Sequence, residues 1–206
     1  MPVYHIPLLP GNTYHLFSRA NGNEKLFLNS NNYAFFLQRL EKHTSTIADL
    51  LAYNLLPNHF HLMMQIKSIE LVEQHFKEVK KGKLFTNDVV SEFIMERFSN
   101  CLNSYTKAFN KMYNRKGALF MDYLRRVEIQ SDDQFRQTVF YIHKNAVHHG
   151  LVKQISDWPY SSYYSISQNR QDNLNVKYVL YMFDGLPGFV TFHSQPIQLK
   201  SPPLDL

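Results

Sequence analysis

Two apolar runs meet at a proline. "IADLLAYNLL", Ile47–Leu56, and "HFHLMMQI", His59–Ile66, are separated only by Pro57-Asn58. Each run has strand length. The proline gives the ladder no N–H and the asparagine tolerates turn backbone, so the pair reads as an antiparallel hairpin. Side chains alternate across a strand, so Phe60, Leu62, Met64 and Ile66 share one face and form an apolar layer that must be covered. His59, His61, Met63 and Gln65 share the other face.

The neighbouring segments supply the cover. Thr13–Ala20 alternates as a first strand, and "NSNNYAFFLQRLEKHTST" reads as a helix capped by Asn29, Ser30 or Asn31. After the hairpin come a short helix over Ile69–Lys80, a loop in "KKGKLFTND", and a long helix from Val89 that ends at Gly117. A last strand is expected within 118–129. A helix then runs to Gly150, with Ser131 as N-cap and Asp132 and Asp133 in its first turn. The β-α-β-β-α order with a closing strand and helix predicts an α+β chain, an antiparallel sheet with helices on one face. Residues 1–165 form the expected domain. Residues 166–206 form a C-terminal extension that packs on it or is partly irregular, its aromatics best placed in a helix against the core.

At 206 residues the chain is long enough to bury a core without a staple. The single cysteine, Cys101, excludes an internal disulfide framework and fits a reducing cytoplasm. No run has the apolar length of a membrane span, and the first residues lack the pattern of a signal peptide. The net charge of +5 favours a polyanionic partner. Between Arg97 and Met121 there is no acidic residue, and Lys107, Lys111, Arg115 and Lys116 alternate there with Tyr105, Phe109, Tyr113 and Phe120. Cations mixed with aromatic rings suit single-stranded nucleic acid. A solvated basic helix face with its rings in the core explains the same pattern.

His59 and His61 project together from one strand face, spaced as metal ligands can be. Alone they read first as two exposed strand histidines. In "FYIHKNAVHHG", Phe140–Gly150, helical spacing puts Phe135, Val139, Ile142 and Ala146 on the packing stripe. Tyr141 and Asn145 lie one turn apart on the neighbouring stripe. Two histidines and an amide oxygen can hold a divalent cation, and a tyrosine beside it is a nucleophile of the kind used in covalent catalysis. The plainer reading leaves Tyr141 bordering the core.

These stretches carry a resemblance. "LPNHFHLMMQ" resembles the histidine–hydrophobic–histidine motif of IS200/IS605-type single-tyrosine transposases. "YIHKNAVHHGLV" followed by "DWPYSSY" is similar to the signature of their REP-associated branch, as are "GNTYHLFSRANGNEKLF" and "NSYTKAFNKMYNRKGALF". The match covers roughly Gly11 to Tyr164. The resemblance implies a ferredoxin-like core and a Mg²⁺- or Mn²⁺-dependent endonuclease that cuts and rejoins single-stranded DNA beside a hairpin. It implies His59 and His61 as the metal pair, Asn145 as a third ligand, and Tyr141 as the nucleophile that forms a 5′-phosphotyrosine. The branch commonly reads Asn-Pro-Val where this chain has Asn145-Ala146-Val147. Without the proline the helix can continue and re-aim Asn145, with His148 and His149 as fallback ligands.

Charge placement adds Arg125, Arg126 and Lys111 as candidate phosphate contacts. The expected chain acts as monomer or homodimer in the cytoplasm, with no membrane partner. A non-cleaving hairpin-binding protein derived from such an enzyme is the main alternative. A small zinc protein is the other, and two histidines with one distant cysteine make a poor zinc cage.

Overall fold

The computed structural model describes residues 6–121, 124–170 and 173–195. Its framework is a four-stranded antiparallel sheet in the order β2-β3-β1-β4, with β1 at Thr13–Arg19, β2 at Ala48–Leu56, β3 at His59–Ile66 and β4 at Arg125–Ile129. Helix α1 (Ser30–Thr44) connects β1 to β2. Helices α2 (Ile69–Val79) and α3 (Asn87–Met112) connect β3 to β4. Each connection spans a strand lying between its two ends, the split βαβ arrangement of ferredoxin-like folds. The Pro57-Asn58 turn closes the expected hairpin, pairing Leu56 with His59.

Helices cover both faces of the sheet, which corrects the one-face expectation. On the first face Leu16, Phe60, Leu62 and Met64 pack with Phe36 and Leu40 of α1 and Ile94, Phe98 and Tyr105 of α3. On the second, Met63, Leu51 and Ala52 pack with Phe135, Val139 and Ile142 of α4 (Asp132–His148). A register shift between Leu50 and Ala52 lets adjacent residues of β2 both reach this second core. The layer also receives Ile166 of α5 (Tyr163–Ser167), Val176 and Val179 of α6 (Val176–Met182), and Phe189 of α7 (Leu186–Ser194). The histidine face of β3 is therefore an interior surface, and the reading of exposed strand histidines fails.

Element ends follow local chemistry. Asn29 and Ser131 accept N-terminal amide bonds of α1 and α4 through their side chains. Helix α3 stops at Met112 rather than Gly117, because Asn114 takes a positive φ of 48° that breaks the helical ladder. The segment "DWPYSSY" lies along the outer edge of β2. Trp158 Nε1 donates to the Leu55 carbonyl at 3.1 Å, Leu55 N–H to Tyr160 at 2.9 Å, and Ser162 N–H to Tyr53 at 3.0 Å. An exposed strand edge is thereby covered.

A buried histidine chain ties α7 to α4. His193 Nδ1 donates to the Phe189 carbonyl at 2.8 Å, so its Nε2 accepts from His143 Nδ1 at 2.9 Å. His143 Nε2 then accepts from Ser162 Oγ at 2.8 Å, and both imidazoles are neutral and satisfied. No helix among the described residues is long and apolar enough to cross a membrane.

Candidate metal and nucleic-acid site

The strand and the helix singled out in the sequence face each other on the second side of the sheet. Alternation on β3 turns His59 and His61 toward α4, whose Phe135–Val139–Ile142 stripe fixes its rotation. Tyr141 and Asn145, on the adjoining stripe, are thereby brought over the histidines. His59 Nε2 lies 3.1 Å from Asn145 Oδ1. The Tyr141 ring stands edge-on to His61, centroids 5.5 Å apart, and to His15 at 5.9 Å. His149 packs edge-on against His59 at 4.8 Å, and His148 stands edge-on to His149 beyond it. Helix α4 continues through Ala146, as the missing proline allows, and Asn145 still faces His59.

The hydrogen bonds around His59 constrain its protons. Its Nδ1 lies 2.8 Å from Asn58 Oδ1. A carbonyl oxygen only accepts, so Nδ1 carries the proton and a neutral His59 turns the Nε2 lone pair toward Asn145 Oδ1, another acceptor. Burial holds His59 neutral by lowering its pKa to about 4, an effect the Asn145 bond partly opposes. Three arrangements relieve the opposed lone pairs. The Asn58 amide can turn, moving the His59 proton to Nε2; the Asn145 amide can turn, so that its Nδ2 donates to Nε2; or a divalent cation can take both atoms as ligands. The separation fits a hydrogen bond and equally two neighbouring ligands of one ion. Asn145 Nδ2 is meanwhile buried without a partner among the described residues, and the contact to His59 anchors the side chain.

His61 is held from behind. Its Nδ1 lies 3.0 Å from Nε2 of His15, which β1 places on the same face. Ligating imidazoles are commonly oriented in this way by a partner on their second nitrogen. Burial lowers the pKa of His61 well below the usual value and that of His15 to about 3. Sequence reasoning missed His15. The signal was its parity with Phe17 and Arg19 in "TYHLFSR", which only the pairing of β1 with β3 makes meaningful. Among the described residues no three His, Cys, Asp or Glu side chains gather as a metal cage. Any ion here takes the two imidazoles and the Asn145 amide, a neutral donor set better suited to Mn²⁺ than to strictly oxygen-seeking Mg²⁺.

The predicted cations divide. Arg125 pairs with Phe17 and points to the histidine face. Arg126 pairs with Leu16 on the opposite face, where its guanidinium is bound to the carbonyls of Ile6 and Leu124 and to Met95 Sδ. One residue of strand register removes it from the candidate phosphate contacts. Arg115 is also engaged in the fold, paired with Glu24 and bonded to Asn110, Gly117 and Ala118 at the end of α3. Lys107 and Lys111 are exposed on α3, and Lys116 is exposed just beyond it. Helix α3 covers the sheet face opposite the histidines, so these lysines are not gathered around Tyr141.

The solved structure of a REP-associated tyrosine transposase bound to a REP hairpin is similar to this chain. The TM-score is 0.60, identity is 19%, and the match covers 84% of this chain and 90% of the other. The two share a fold. No family model and no curated protein matches the sequence.

Proposed function

We propose that this chain binds hairpin-forming single-stranded DNA and cuts and rejoins it through Tyr141. The observation that carries the reading is the convergence of His59, His61, Asn145 and Tyr141 into one buried cluster, with His59 and Asn145 86 residues apart in the chain. The fold likeness to a transposase bound to a DNA hairpin supports it. In the reaction Tyr141 Oη forms a bond to the scissile phosphorus while the bond from phosphorus to the 3′ oxygen breaks. The tyrosine proton is lost and the leaving 3′ oxygen gains one, so the products are a 5′-phosphotyrosine and a free 3′-hydroxyl. Reversal with another 3′-hydroxyl rejoins the strand without an external energy source. His59, His61 and Asn145 would hold Mg²⁺ or Mn²⁺, which would polarise the phosphate and stabilise the charge of the transition state. His15 orients His61, and α4 holds Tyr141 beside it.

A second reading has its own support. Tyr141 is only 8% exposed and His61 only 1%, so a strand reaches them only if the rim of the site opens. A chain that never opens it would occupy hairpins without cutting. Labelled single-stranded hairpins, incubated with Mn²⁺ or Mg²⁺ and run on denaturing gels, separate the two. Cutting predicts a protein-linked DNA band that requires metal and disappears in Tyr141→Phe while binding persists. Tight binding with no such band on any hairpin establishes the non-cleaving protein, and a band that survives Tyr141→Phe excludes this tyrosine.

A further inference from the structure

The charges around the histidines are one-sided. From β1, the register places Phe17 beside His61 and Arg19 beside His59 on the same sheet face. From β4 that face receives Arg125, from β2 Asn54, and from α4 Tyr141, Asn145 and His149. The charges that act on His59 come from Arg19 and His149, and no carboxylate among the described residues acts on it or on His61.

Several arginines of the chain are engaged within the fold. Arg115 pairs with Glu24 and Arg136 with Asp133, and Arg126 is bound by backbone carbonyls. Arg19 is half-buried at the end of β1 and its guanidinium has no carboxylate partner among the described residues. Its charge acts on the neutral His59 beside it, and no carboxylate among the described residues balances it. A guanidinium matches phosphate with paired N–H donors in a fixed plane.

We propose that Arg19 is a phosphate-binding residue of this site, contacting a phosphodiester of the bound DNA strand beside His59. The assignment rests on the DNA-binding reading above. Neither the histidine pair nor the tyrosine helix contains Arg19; the antiparallel register alone brings it there. The last carbonyls of α4 give this corner a partial negative charge, which Arg19 offsets for an incoming phosphate. A backbone contact positions the strand without reading its bases, so its effect is the same on every hairpin.

Fluorescence anisotropy of labelled hairpins tests this in a Tyr141→Phe background, where no adduct forms. Arg19→Gln is expected to weaken binding roughly tenfold on all hairpins. It should also make the slope of log affinity against log salt shallower by about 0.7 to 1, one phosphate contact. Arg19→Lys should restore the slope. Loosened folding does not produce this pattern. Unchanged affinity and slope in Arg19→Gln overturn the assignment while leaving DNA binding intact. Should that variant fail to fold, phenylglyoxal modification of the chain with Arg19 in place answers the question by mass spectrometry. Bound hairpin must protect Arg19, and equal modification with and without DNA overturns the assignment. A chain with Arg19 in place that binds no hairpin ends the DNA reading and the Arg19 assignment together.

Discussion

Asn145 is the residue on which the candidate site turns. It is 1% exposed, with its oxygen against His59 Nε2 and its amide nitrogen unsatisfied. Asn145→Leu removes the oxygen and should weaken Mn²⁺ binding by about 10- to 100-fold, the range found when the shells around a metal are disturbed. Asn145→Asp adds a negative charge in the same shape and should tighten it. Paramagnetic titration of Mn²⁺ measures both without reference to DNA. Equal affinity in all three proteins would place the ion elsewhere. The pairing of His59 with His61 and of Tyr141 with Asn145 was legible from period 2 and period 3.6. His15 and Arg19 were not, because a single strand does not reveal which strand it will pair with or in which register.

Among the elements, α4 was nearly complete in the sequence. Its N-cap, acidic first turn, packing stripe and run through Ala146 all follow from local rules. Helix α7 was not. It packs so closely behind α6 that a Cβ on Gly188 would overlap the Phe183 carbonyl oxygen. Backbone cannot yield as a flexible side chain can, so Gly188→Ala should destabilise the chain by about 1–3 kcal/mol, despite the better helix propensity of alanine. Urea unfolding measures this. A gain in stability would mean that α7 does not dock here. The long helix α3 marks the reverse case: its amphipathic pattern runs on to Gly117, while Asn114 and the bonds of Arg115 end it earlier.

At the scale of the whole molecule, two helix layers enclose one sheet, and the inner layers hold several buried, neutral histidines. Burial lowers the pKa of His193 to about 4 and that of His143 well below its usual value, against about 6.5 in an unfolded chain. Between those values the unfolded chain takes up protons that the folded chain refuses. The stability associated with neutral His143 and His193 is thus complete above about pH 6.5. It falls as pH drops toward 4, by up to about 1.4 kcal/mol per pH unit for each group. The thermal midpoint should be clearly lower at pH 5 than at pH 7.5, and less so in His193→Gln. A midpoint flat across that range would show that these imidazoles do not stay neutral in the fold. The sequence by itself determined the hairpin, the helices up to α4 and the two motif pairs, because turn chemistry and periodicity act over a few residues. Only the tertiary structure decided that the histidine face is interior, that Arg126 and Arg115 belong to the framework, and that His15 and Arg19 join the site. Those outcomes depend on strand register and on a second helix layer, and both are set by contacts between residues far apart in the chain.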